Sequence, residues 1–197
     1  MNRFIKMTAI IVAASTISMF SANAQSATKT KMAEPKTVQV GGEAMFPMKN
    51  IVQNAVNSKA HTTLVAAVKA ADLVDVLQGA GPFTVFAPVN DAFENLPAGT
   101  VETLLKPENK ATLAKILTYH VVSGKYDFNA LMALITKSKG KAELPTVSGG
   151  KLYFKMNGMH NIMVSDENGG TANINTYDVY QSNGVIQSID AVLLPKM

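Results

Sequence analysis

The sequence has neither cysteine nor tryptophan in 197 residues. Without cysteine there are no disulfides, thiolate metal sites, iron–sulfur clusters, cysteine nucleophiles or acyl-cysteine lipid anchors. Without tryptophan there is no tryptophan-lined sugar platform. Charge is sparse as well. Asp, Glu, Lys and Arg make up 16% of the chain against 47% hydrophobic residues, a balance that excludes a disordered or fibrous protein. The formal net charge is +4, and it falls to +2 when Arg3 and Lys6 are set aside as part of a removable segment. A charge that small does not point to nucleic acid as a partner.

That removable segment is residues 1–24. Arg3 and Lys6 give a positive start, residues 8–20 form a mostly apolar run, and Ala22-Asn23-Ala24 supplies a small-x-small cleavage pattern. The run of 13 residues is shorter than the roughly 20 that cross a bilayer, and it contains Ser15, Thr16 and Ser18. The expectation is export with cleavage near Ala24. That leaves a mature chain without a transmembrane anchor, in a periplasm or outside the cell. Residues 25–45 lack an apolar period and read as a flexible leader. Residues 46–197 then form one ordinary domain.

Within the domain the period changes. Ile51, Val52, Ala55 and Val56, then Leu64, Val65, Val68, Ala71 and Leu73, repeat at helical spacing. Gly79-Ala80-Gly81-Pro82 stops the helix, and residues 83–86 form a short buried strand. Asn90 reads as an N-cap with Asp91 and Glu94 in the first turn, and residues 100–105 and 108–121 read as further helices. From residue 151 the period is two. Residues 151–156, the turn Asn157-Gly158 and residues 159–164 form a hairpin signal, followed by strands near residues 172–180 and 185–194. Helices mainly in the first half and a strand meander in the second predict an α+β fold of segregated layers without a parallel βαβ sheet.

Three segments carry a resemblance. Residues 83–93 (FTVFAPVNDAF), residues 116–124 (ILTYHVVSG) and residues 183–195 (NGVIQSIDAVLLP) resemble, in that order and spacing, the two signature segments and the closing strand of the fasciclin domain. The resemblance covers about residues 47–195. It implies a compact wedge of β-strands with helices packed on one side, in an exported non-catalytic protein of adhesion or matrix association. It also implies no cofactor, and a cell-surface or matrix protein or polysaccharide as partner, with self-association as a route to avidity. Tyr119-His120 matches the pair linked to partner binding in animal members, and Asn90-Asp91 matches the polar pair of the first signature segment.

Each candidate also has a plain structural reading. Ile116, Leu117 and Val121 flank Tyr119-His120 with apolar neighbours, so a packed, hydrogen-bonded pair competes with direct partner contact. Helix capping accounts for Asn90 and Asp91. Lys137, Lys139 and Lys141 read as an exposed loop and form a secondary contact site for an anionic polysaccharide or lipid headgroup. Met156, Met159, His160 and Met163 are soft ligands suited to copper(I), the alternative being a periplasmic small-ligand or metal-binding protein. A two-residue turn would pair Met156 with Met159 and put His160 on the other face, leaving an incomplete ligand set. Ser26-x-x-Lys29 and Ser148-x-x-Lys151 match a serine–lysine pattern without its accompanying elements. No phosphate loop, dinucleotide fingerprint or zinc-protease motif is present.

Overall fold

The computed structural model describes residues 37–196. The export signal and the first part of the leader lie outside the described residues. The domain begins inside the stretch expected to be a flexible leader. β1 (Val38–Val40) and β2 (Glu43–Met45) form a hairpin whose Val40 and Met45 are buried. Its turn places Gly41 at φ +61°, where a β-carbon would strike the backbone of Ala60.

The helical half is cut into short pieces. α1 (Ile51–Ala55) starts with a reciprocal capping box between Asn50 and Gln53. α2 (Thr62–Ala70) and α3 (Val74–Gln78) divide a pattern that reads as one helix, because Asp72 adopts φ +57° between them. α4 (Asn90–Glu94), α5 (Thr100–Leu104) and α6 (Lys110–Tyr119) follow β3 (Phe83–Pro88). α7 (Phe128–Lys137) is a helix with no counterpart among the elements expected from the sequence. Asp127 caps it by accepting from the Ala130 N–H at 2.9 Å.

The remaining strands are β4 (Val121–Ser123), β5 (Ala142–Pro145), β6 (Lys151–Met156), β7 (Ile162–Ser165), β8 (Thr171–Gln181) and β9 (Gly184–Ile189). They join β3 in a seven-stranded sheet of order β4-β3-β9-β8-β7-β6-β5. The two ends meet where the Val147 N–H donates to the Val121 carbonyl at 2.8 Å, so the sheet is almost closed. The α+β class holds, with one departure from a purely antiparallel meander. β3 pairs with β9 in parallel, from Phe83 opposite Gly184 to Pro88 opposite Ile189.

Two hydrophobic cores lie on the two sides of this sheet. Along β3, Val85 and Ala87 face the core under α1–α3 and α6, whereas Phe86 faces the core enclosed by β5–β9. α7 packs into the enclosed core through Leu131 and Ile135, against β5 and β6. One chain segment therefore serves both cores, and the β3–β9 pair forms the wall between them. At Gly184 a β-carbon would collide with the Phe83 carbonyl. Gly184→Ala is expected to destabilise the domain by about 3 kcal/mol through forced separation of the parallel pair. Urea unfolding tests this, and a midpoint equal to wild type would refute the close approach.

Candidate functional site

Tyr119 and His120 end α6 in the interior, and every polar atom of the two side chains has a partner. The Tyr119 hydroxyl donates to the Lys151 carbonyl at 2.6 Å and accepts from the Glu167 N–H at 3.1 Å. His120 Nδ1–H donates to the Ile116 carbonyl at 2.8 Å, and Nε2 accepts the Leu193 N–H at 3.0 Å. These two bonds select the neutral Nδ1–H tautomer, because a second ring proton would face the Leu193 N–H. Burial lowers the His120 pKa to about 4 and pushes the Tyr119 hydroxyl up to about 12. Neither side chain is presented to solvent.

Asn90 is a cap, but of a different helix from the one expected. Val89 occupies the cap position of α4. The Asn90 side chain instead accepts from the Thr63 N–H at 3.1 Å and donates to the Lys59 carbonyl at 2.8 Å. It closes the N-terminus of α2 from across the fold. Asp91 is exposed in the first turn of α4.

The methionine cluster does not come together as expected. β7 starts at Ile162, and Met156 pairs with Ile162, so residues 157–161 form a longer connection in which the Asn157 N–H donates to the Asn161 carbonyl at 2.7 Å. Met156 packs inward against the enclosed core, while Met163 points outward opposite Lys155. Met159 is 84% exposed, and His160 is exposed beside it. The two side chains of the Ser148-x-x-Lys151 pattern have other partners. Lys151 Nζ lies 2.8 Å from Glu143, and Ser148 Oγ lies 3.0 Å from Thr146 Oγ1.

Residues 136–149, expected as one loop, contain the end of α7 and all of β5. Lys137 closes α7, Lys139 sits in the following turn at φ +56°, and Lys141 leads into β5. Lys141 Nζ lies 4.4 Å from the centre of the Tyr153 ring. Tyr153 stands on the outer face of β6 between Lys151 and Lys155, next to Ser165 of β7. Lys141, Tyr153, Lys155 and Ser165, with Asp166, Glu167 and Gly169, line a shallow groove of about 420 Å³. The sequence reading missed Tyr153 and Lys155. Their signal was available in the period-two alternation of residues 151–156, whose outer positions are Lys151, Tyr153 and Lys155.

A second concavity lies on the other side of the sheet. A cavity of about 250 Å³ separates α1, α2 and the β1–β2 hairpin from β3, β9 and the end of α6. Val40, Val52, Ala55, Val65 and Val68 line it from the helical side, and Val85 and Ile186 from the sheet. His61 closes part of its wall, with Nδ1 2.9 Å from Ser58 Oγ and Nε2 3.3 Å from Ser188 Oγ. Burial lowers the His61 pKa as well.

The buried imidazole has a measurable consequence. Folded His120 stays neutral down to about pH 4, whereas in the unfolded chain it takes up a proton near 6.5. Between those values the unfolded state binds more protons, so stability falls as pH falls, by about 3 kcal/mol from this group. Urea unfolding from pH 7 to 4 is expected to show this slope, and His120→Gln to lose this share of it. His120→Ala is expected to cost about 2–4 kcal/mol at pH 7, since the Ile116 carbonyl and Leu193 N–H both lose a buried partner. A thermal midpoint within a degree of wild type would contradict that.

Comparison with known proteins agrees with this geometry. The fasciclin domain family matches residues 59–195. Protein sll1483 of Synechocystis sp. is 47% identical over 171 residues, covering 84% of this chain and 87% of that protein. The cell surface glycolipoprotein MPB83 of Mycobacterium bovis is 34% identical over 161 residues, covering 79% of this chain and 64% of that protein. Among solved structures, a FAS1 domain pair from the insect cell adhesion molecule Fasciclin I superposes with a TM-score of 0.65 at 18% identity, over 75% of this chain and 51% of that one. With its signature segments at β3 and α6 and its closing strand at β9, the chain belongs to the fasciclin domain family.

Proposed function

We propose that this chain is an exported, non-catalytic adhesion or surface-association protein whose outer β6 face docks onto a cell-surface or matrix partner. The observation that carries the reading is the Tyr153 ring with Lys141 over its face and Lys155 beside it, in an open groove. An amphipathic ring flanked by cations gives both contact area and attraction to an acidic surface, protein or polysaccharide. Lys137, Lys139, Lys141 and Lys155 take part in none of the ion pairs among the described residues, so their charge is available to a partner. Buried Tyr119 acts indirectly, its hydroxyl holding the backbone of Lys151 in β6 and of Glu167 in the groove wall. No helix among the described residues is long and apolar enough to cross a membrane. Similarity to a cell surface glycolipoprotein and to a cell adhesion molecule supports the placement at the cell exterior.

The exported protein is expected to be retained by the producing cell's envelope and matrix fraction, less so as salt rises. Lys141→Ala combined with Lys155→Ala is expected to lower retention about threefold or more, on the scale of two exposed charge contacts. Tyr153→Ala is expected to lower it further without altering the thermal midpoint by more than a few degrees. Unchanged retention by folded variants would remove this face from the mechanism.

A further inference from the structure

The cavity under the helices has a chemistry distinct from that of the outer face. Its walls are aliphatic, and its few polar side chains are occupied. Ser58 and His61 bond to each other, His61 also contacts Ser188, and both ring nitrogens of His120 are taken by Ile116 and Leu193. The interior therefore offers an occupant apolar contact and no hydrogen-bond donor from these groups. One charged side chain lines the cavity. Lys69, exposed at the end of α2 one turn after Val65, takes part in none of the ion pairs among the described residues. Val52, Ala55, Val56 and Val65 are partly solvent-accessible, so the cavity has a mouth on the helical side, where that ammonium stands. The hairpin and α1 form part of the wall although they precede the residues that match the family.

We propose that this cavity binds one molecule of a monocarboxylic acid with an apolar body, the body among the valines and the carboxylate at Lys69. The volume sets the size. An apolar cavity of about 150 Å³ accepts benzene, so about 250 Å³ corresponds by proportion to a body of about ten carbons. A carboxylate cannot follow the body inside, where no charged or unsatisfied donor meets it, and it stays at the mouth beside the ammonium. A cationic or zwitterionic head would meet the wrong charge there. An uncharged head would gain nothing from Lys69.

Calorimetric titration of the exported protein with decanoate, below its micelle concentration, and with 1-decanol tests the proposal. Saturable one-to-one uptake of decanoate is expected. Methyl shifts in the NMR spectrum should change at Val52, Val65 and Ile186. Lys69→Ala is expected to weaken decanoate about two- to fivefold and to leave decanol unchanged. Ala55→Phe, which projects a ring into the cavity, is expected to abolish both if its near-ultraviolet dichroism matches wild type. Absence of saturable decanoate uptake would overturn the proposal, as would shifts confined to residues away from the cavity. Equal decanoate affinity in Lys69→Ala would overturn the carboxylate assignment. Neither titration touches the Tyr153 face, so adhesion and ligand uptake stand or fall separately.

Discussion

Everything in this domain converges on the backbone and ring of His120. Its carbonyl accepts the Phe86 N–H of β3 at 2.9 Å, its Nδ1–H is held by α6, and its Nε2 holds the segment after β9 at Leu193. A single residue thus ties α6, β3 and the segment that follows β9. A neutral imidazole suits this position because it alone among side chains donates from one edge and accepts at the other within a rigid ring. Desolvation is the cost of placing it there, and it is offset because both edges are satisfied.

The two cores follow from that tie. Tyr119 enters the enclosed core and Leu117 and Val121 the core under the helices, so the α6–β4 junction alternates between them as β3 does. A residue pair that resembles a contact motif is then committed to the interior. Contact with other molecules falls to what the two layers leave outside. On one side that is the outer face of β6 and β7, where alternation exposes every second residue. On the other it is the gap left where short helices lie over a twisted sheet. The first surface is polar, with lysines beside a tyrosine ring, and the second apolar with one cation, so the two proposed recognition chemistries lie on opposite sides of the β3–β9 wall.

Much of this was legible in the residues. The strand read over 83–86 and the helix read over 108–121 gave β3 and α6, although Val121 already opens β4, and the period-two pattern gave β6, β8 and β9. What failed depended on distant partners. The register of β7 follows the burial of Ile162 and Val164, and that burial overrides the turn preference of Asn157-Gly158. Asn90 looks like a local cap, but its acceptor serves Thr63, which approaches only when β3 delivers it to α2. The positive φ of Asp72 that parts α2 from α3 has no strong local signature. α7 did have one, in Asp127 followed by Phe128, Leu131 and Ile135, but it lies between segments that read as the end of a helix and a loop. The cavity has none, since it is the space between elements and no residue type marks it.

The central claim is that His120 is a neutral, two-sided brace rather than a contact residue. Nitrogen-15 NMR of the imidazole as a function of pH tests it most directly. The account predicts a proton on Nδ1, none on Nε2, and no protonation until the pH approaches about 4. A ring that titrates near 6.5 with both tautomers populated would contradict it. The Tyr119-His120 pair would then return to the surface as a site of recognition.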